Sequence, residues 1–131
     1  MKDPVPKDEI SEEMIAALVH GFYGKVRADA VLGPIFNGII GENWDAHLAR
    51  MCDFWSSVMR MTGRYKGRPM VAHMRLKMVK PEHFARWLDI FGETARQTCP
   101  PAIAQLFCAK AHLIAQSLQL GMFYRPASPK P

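Results

Sequence analysis

The sequence has little of what would build a disulfide-rich, membrane-spanning or secreted protein. Its three cysteines, Cys52, Cys99 and Cys108, are irregularly spaced, so we expect small apolar roles for them rather than a disulfide framework or a CxxC-type metal cage. No apolar run approaches the roughly 20 residues that cross a bilayer. The N-terminal stretch MKDPVPKDE lacks the apolar core of a secretory signal. We therefore expect a cytoplasmic protein.

The sequence also lacks the short motifs of several enzyme classes. It has no glycine-rich phosphate loop, no HExxH helix and no nucleophile elbow. The formal charge is +5, and the stretch from Arg60 to Lys80 contains basic residues but no acidic one. Such a run is either a solvated surface or a contact with an acidic ligand group. A nucleic-acid-binding domain would place its basic residues along one helix face, so their clustering in a connecting segment argues against that class.

The apolar residues recur at helical spacing along the chain of 131 residues. We predict an all-α fold with four main helices, which begin near Ser11, near Asn43, after Pro81 and after the Pro100–Pro101 pair. No segment alternates as a strand would. The intervals 32–41 and 62–80 are predicted to be long connections. We expect one domain over residues 10–124, with flexible ends at 1–9 and 125–131.

Two histidines occupy positions suited to chemistry. His47 falls on the apolar stripe of the second predicted helix, and His73 follows Pro69 by one helical turn in an otherwise apolar segment. An inward histidine is more often a hydrogen-bonded core residue than a ligand. Tyr23 and Trp87 are apolar rings with polar tips that need partners when buried. A zinc site with Cys52 is disfavoured because this residue lies about 140° around the helix from His47.

The remaining histidines give no catalytic signal. His20, His83 and His112 fall at helix edges or on polar faces. We interpret all three as surface or helix-capping residues.

The chain resembles the group III truncated haemoglobins over roughly residues 10 to 121. The shared pattern runs Phe22-Tyr23-x-x-Val26-Arg27-x-Asp29-x-x-Leu32-Gly33-Pro34-Ile35-Phe36, then Trp44-x-x-His47, Phe54-Trp55, Tyr65-x-Gly67-x-Pro69-x-x-x-His73 and His83-Phe84-x-x-Trp87-Leu88-x-x-Phe91. The absence of a Gly-Gly dipeptide agrees with group III, since the other two groups typically use Gly-Gly near helix ends.

The resemblance implies a truncated globin fold, a two-over-two helical sandwich around non-covalent haem b. His73 resembles the proximal iron ligand, Tyr23 and Trp87 the distal hydrogen-bond donors, and His47 a distal gate. The residues implied to contact the cofactor are Phe22, Phe36, His47, Met51, Phe54, Trp55, Tyr65, Arg75, Lys77 and Trp87, with Arg68 a further candidate for the propionates.

The implied ligands are the diatomic gases oxygen, nitric oxide and carbon monoxide. The reaction stays open between tight reversible binding, sensing, and a nitric oxide dioxygenase or peroxidase-like activity that would require a separate reductase. No nucleic-acid partner and no membrane insertion are expected. The alternative from the residues alone is a small helical adaptor without haem, whose inward aromatic residues only form the core.

Overall fold

The computed structural model describes residues 9–69, 73, 76 and 78–123, and these form five main helices. They are α1 (Glu12–Ala28), α2 (Leu32–Ile40), α3 (Trp44–Arg60), α4 (Pro81–Thr98) and α5 (Pro101–Phe123). The all-α prediction is confirmed, and each of the four predicted helices is present. The predicted flexible ends fall almost wholly outside the described residues.

Helix α1 begins where the sequence predicts. The Ser11 side chain accepts a hydrogen bond from the Met14 N–H at 3.1 Å, and Glu12 and Glu13 occupy the first turn. A side-chain acceptor and acidic residues both favour a helix N-terminus, because its first N–H groups have no partner within the helix. The buried face of α1 includes Ile15 and Phe22.

The prediction that residues 32–41 form an irregular connection is wrong, because α2 occupies Leu32–Ile40. Gly33, Pro34 and Gly38 are typical turn residues, but Pro34 lies in the first helical turn, where a missing N–H costs little. The Asp29 carboxylate accepts hydrogen bonds from the N–H groups of Val31 at 3.0 Å and Leu32 at 2.9 Å. This capping and the packing of α2 against α1 outweigh the weak local preference for a helix.

The second predicted connection joins α3 to α4. Residues 61–68 are irregular, whereas Pro69 and His73 have helical conformation. Pro81 starts α4, and the Lys80 N–H donates to His83 Nδ1 at 3.0 Å. The predicted capping role of His83 is confirmed. His20 and His112 are exposed as expected.

The helices pack as two pairs, α1 with α3 and α4 with α5, which meet through contacts between α1 and α4. Aromatic rings fill the junction. Phe91 of α4 stacks on Trp55 at a centroid separation of 5.1 Å and on Trp87 at 5.4 Å. Phe22, Phe91 and Phe107 are fully buried. Stacked and edge-on rings add to the stabilisation that burial alone supplies.

The three cysteines are free thiols. Cys99 is buried, and Cys52 and Cys108 are partly buried. None of the helices in the described ranges has the length and apolar character that a membrane span requires.

Candidate functional site

A cavity of about 670 Å³ lies beside the aromatic core and is bounded by all five helices and by the segment between α3 and α4. Its volume is within the range usual for small-molecule and cofactor sites. The wall is mainly apolar, and the described residues that line it include no aspartate or glutamate. The apolar members are Leu32, Ile35, Phe36, Ile39, Ile40, Ala46, Met51, Phe54, Trp55, Pro69, Leu76, Val79, Phe84, Trp87, Ile114, Ala115 and Leu118.

His73 lines this cavity, and a hydrogen bond to a nearby backbone carbonyl fixes its ring. Its Nδ1 lies 2.7 Å from the Pro69 carbonyl oxygen, one helical turn earlier. A carbonyl oxygen can only accept, so Nδ1 carries the hydrogen and donates it. In neutral His73, Nε2 therefore keeps its lone pair. A histidine fixed in this way is ready to bind a metal through Nε2, because metal-bound histidines usually donate their other N–H to a carbonyl or carboxylate.

His47 lines the same cavity from α3, and its environment leaves one nitrogen unpaired. Within the described part of the chain, the buried His47 Nε2 has no hydrogen-bond partner. Burial, and then the nearby positive charge of Arg50, lower the pKa of the imidazole. His47 is therefore neutral at physiological pH. A buried nitrogen without a hydrogen-bond partner lowers the stability of a fold. This indicates that a ligand in the cavity pairs with the nitrogen, or that the nitrogen has a functional role.

Tyr23 of α1 contributes a phenol ring that is 7% exposed. Its ring packs edge-on against His47 at a centroid separation of 5.0 Å. Burial raises the pKa of the Tyr23 hydroxyl far above its usual value, so the hydroxyl keeps its proton and can act as a donor. Trp87 of α4 lines the cavity as well, with its ring stacked on Phe91.

The structure brings together most of the site residues that the sequence singled out. Those that line the cavity are Tyr23, Phe36, His47, Met51, Phe54, Trp55, Tyr65, His73 and Trp87. Phe22 is not among them. Its ring lies in the core, edge-on to Tyr23, Trp87 and Phe91. Arg75 and Lys77 lie outside the described residues.

Three polar lining residues were missed by the sequence analysis: Asn43, Arg50 and His83. Arg50 could have been found, because it follows His47 by three residues and therefore shares its helix face. His83 precedes Trp87 by four residues and shares the corresponding face of α4. Its capping role alone gave no reason to place it at a cavity.

Part of the basic stretch has a partner within the fold. Arg60 and Arg64 both pair with Glu12, the second at 3.0 Å. Ser56, which is fully buried, donates to the same carboxylate at 2.8 Å. These two arginines therefore connect the first turn of α1 to the C-terminal end of α3 and to the segment that follows it, whereas Arg68 is exposed.

Two comparisons with known proteins, one with curated sequences and one with solved structures, agree with each other. A curated relative, the group 3 truncated hemoglobin ctb of Campylobacter jejuni, is 36% identical over 121 residues, which cover 90% of this chain and 94% of the relative. The crystal structure of group III truncated hemoglobin from Campylobacter jejuni matches with a TM-score of 0.83 and 34% identity, covering 95% of this chain and 97% of that one. A scan against protein-family models gave no match.

Proposed function

The chain belongs to the group 3 truncated haemoglobins, and on that premise we propose that its cavity holds haem b non-covalently. In this proposal His73 is the iron ligand, and the site binds the diatomic gases oxygen, nitric oxide and carbon monoxide. Tyr23, His47 and Trp87 contact the gas.

The observation that carries the proposal is the hydrogen bond from His73 Nδ1 to the Pro69 carbonyl. It fixes the ring orientation and leaves Nε2 as the available donor atom for a metal. In the segment between α3 and α4, helix packing alone gives no reason to hold one imidazole so specifically at a cavity wall.

The rest of the cavity fits haem. The ring is large, flat and mostly apolar, and the wall supplies aromatic and aliphatic side chains that include Phe36, Met51 and Phe54. Haem propionates are anionic, and the charged side chain among the described lining residues is the cation Arg50. We therefore add Arg50 to the propionate candidates Tyr65, Arg68, Arg75 and Lys77.

When bound, haem supplies an iron with a coordination position open to a diatomic gas. The protein's part is to exclude bulk water and to present hydrogen-bond donors at that position. Tyr23 keeps its proton because burial raises its pKa, and Trp87 can act as a second donor through its indole N–H. His47 is neutral, so it adds no competing positive charge.

Two hydrogen-bond donors in one cavity favour tight oxygen binding with slow release, which does not suit bulk oxygen transport. We propose that the protein serves oxygen or nitric oxide chemistry, redox or sensing, and that any redox turnover draws electrons from a separate reductase.

The test is a titration of the purified chain with haemin, followed by absorption spectroscopy. We expect one equivalent to give a Soret band that is sharper than that of free haemin and shifted from it, and His73→Ala to abolish or strongly alter this change. His112→Ala, which removes an exposed histidine on α5, is the matched control and should leave the band as in the wild type. A wild-type spectrum that equals that of free haemin would favour the alternative of a helical interaction domain. An unaltered band in His73→Ala would refute the ligand assignment.

A further inference from the structure

Trp44, at the start of α3, is fixed by contacts from two other helices. It is 6% exposed, and its Nε1 donates a hydrogen bond to Asn37 Oδ1 of α2 at 3.2 Å. On the ring face, the guanidinium carbon of Arg27 from α1 lies 4.5 Å from the ring centroid, a separation typical of a cation–π contact. The indole is therefore constrained at both its edge and its face.

The fixed indole forms one side of the position that His47 occupies. The His47 ring meets the Trp44 ring at 90° with a centroid separation of 5.7 Å, and it meets the Tyr23 ring at 84° and 5.0 Å. Its buried Nε2 has no partner among the described residues. Ring packing against Trp44 and Tyr23 therefore restrains the imidazole, whose Nε2 has no hydrogen bond within the described residues to do so.

We propose that Asn37, acting through Trp44, is a positioning residue that keeps His47 inside the cavity and thereby sets the rate of gas entry. This inference rests on the proposed function. The contact couples α2, which also supplies Phe36 and Ile39 to the cavity wall, to the histidine on α3. Loss of the Asn37 acceptor frees the indole edge, and the His47 ring then spends more time away from its position.

The experiment measures the carbon monoxide association rate of the haem-loaded, ferrous protein after flash photolysis. Asn37→Ala and Trp44→Phe each remove the hydrogen bond, and the second keeps a ring beneath Arg27. One neutral hydrogen bond changes a population by about two- to tenfold, so we expect association to become faster by that factor. Asn37→Asp keeps the oxygen that accepts from Trp44 but loses the long Nδ2 donation to the Arg27 carbonyl oxygen at 3.5 Å. We expect its association rate to lie closer to that of the wild type than to that of Asn37→Ala.

Two further measurements separate positioning from a general loosening of the fold. In a His47→Ala background, Asn37→Ala should have no further effect on association, since the residue it positions is gone. NMR hydrogen exchange in the carbon monoxide complex should show faster exchange of the Trp44 indole N–H in Asn37→Ala. Gln105→Ala, an exposed amide on α5, should leave both the rate and the exchange unchanged.

An unchanged or slower association rate in Asn37→Ala and Trp44→Phe would overturn the inference. The same holds if Asn37→Ala has an equal effect with and without His47, because the residue would then act by another route. Failure of the proposed function is recognised separately, by a Soret band in the wild-type titration that equals that of free haemin.

Discussion

Gly33 lies where α2 comes close to the backbone of α1, and its replacement tests whether that approach is essential. A Cβ built on Gly33 would lie 2.6 Å from the Arg27 carbonyl oxygen, a backbone atom that cannot rotate away. Gly38, in the same helix, has no atom within 4 Å of such a Cβ. The two positions therefore separate the effect of crowding from the effect of replacing a helical glycine.

The two substitutions should change the free energy of unfolding in opposite directions. A Cβ at 2.6 Å is about 0.8 Å short of the 3.4 Å at which ordinary contact begins, so α2 must move away from α1. Overpacking of this kind costs about 1–3 kcal/mol, and the gain in helix propensity returns about 0.5–1 kcal/mol. We expect Gly33→Ala to lower the free energy of unfolding by about 1–2 kcal/mol. Gly38→Ala should raise it by about 0.5–1 kcal/mol.

Urea unfolding, followed by circular dichroism, measures the free energy of unfolding of both variants. All proteins must have the same degree of haem loading, because a bound ligand adds to the apparent stability. The free energies of unfolding of the two variants should differ by about 1.5–3 kcal/mol. If Gly33→Ala is as stable as Gly38→Ala, the close approach of the two helices does not restrict the residue at position 33, and the predicted crowding is refuted.

Three other substitutions test separate features of the structure. Asp29→Ala removes two backbone hydrogen bonds and a bidentate pair with Arg86, whose shortest contact is 2.6 Å; we expect a loss of about 1–2 kcal/mol at neutral pH. Because these partners lower the pKa of Asp29, Arg86 most of all, its stabilisation is present above the ordinary pKa near 4 and is lost as the pH falls below it. The wild-type and variant unfolding energies should therefore converge in acid, and a constant difference would contradict this explanation. Ser56→Ala removes the buried hydroxyl that donates to Glu12 and should cost about 1.5–3 kcal/mol in urea unfolding. Tyr23→Phe keeps the ring but removes the donor, so stopped-flow oxygen dissociation from the ferrous protein should accelerate by about tenfold or more; an unchanged rate would refute the donor assignment.

Matched controls accompany these variants. Ser117→Ala removes an exposed hydroxyl on α5 and should have little effect on stability, in contrast to Ser56→Ala. Asp29→Asn keeps an oxygen able to cap α2 but removes the charge, so we expect it to fall between the wild type and Asp29→Ala.

The four longest helices were predictable because each one has an apolar stripe and a start signal in its own residues. Ser11 and Pro81 mark two of these starts, and both occupy helix N-termini in the structure. Helix α2 was not predictable in the same way, because its local signals, Gly33-Pro34 and Gly38, indicate turns. Its helical form depends on the Asp29 cap and on packing against α1, and periodicity within α2 itself contains no information about either.

The candidate site also contains residues whose position was predictable from the sequence and residues whose position was not. His47 and Trp87 sit at helical positions, so their inward orientation could be predicted from spacing alone. The contribution of Arg50 and His83 to the cavity wall depends on how α3 and α4 are placed around it, which is a tertiary property. Phe22 is a third case: its ring lies in the core, edge-on to Tyr23, Trp87 and Phe91, and its contact with the cofactor, which only the resemblance implies, stays a prediction. Adjacent residues on a helix diverge by about 100°, so spacing alone does not place Phe22 beside Tyr23 at the cavity wall.

The aromatic core also determines how the protein emits light. The chain contains three tryptophans; Trp55 and Trp87 line the cavity, and Trp44 packs edge-on against the cavity residue His47. A visible-absorbing chromophore in the cavity would lie close to all three indoles and would accept their excitation by resonance energy transfer. Intrinsic fluorescence thus reports cavity occupancy without any added label, and its decrease during titration counts the filled sites directly.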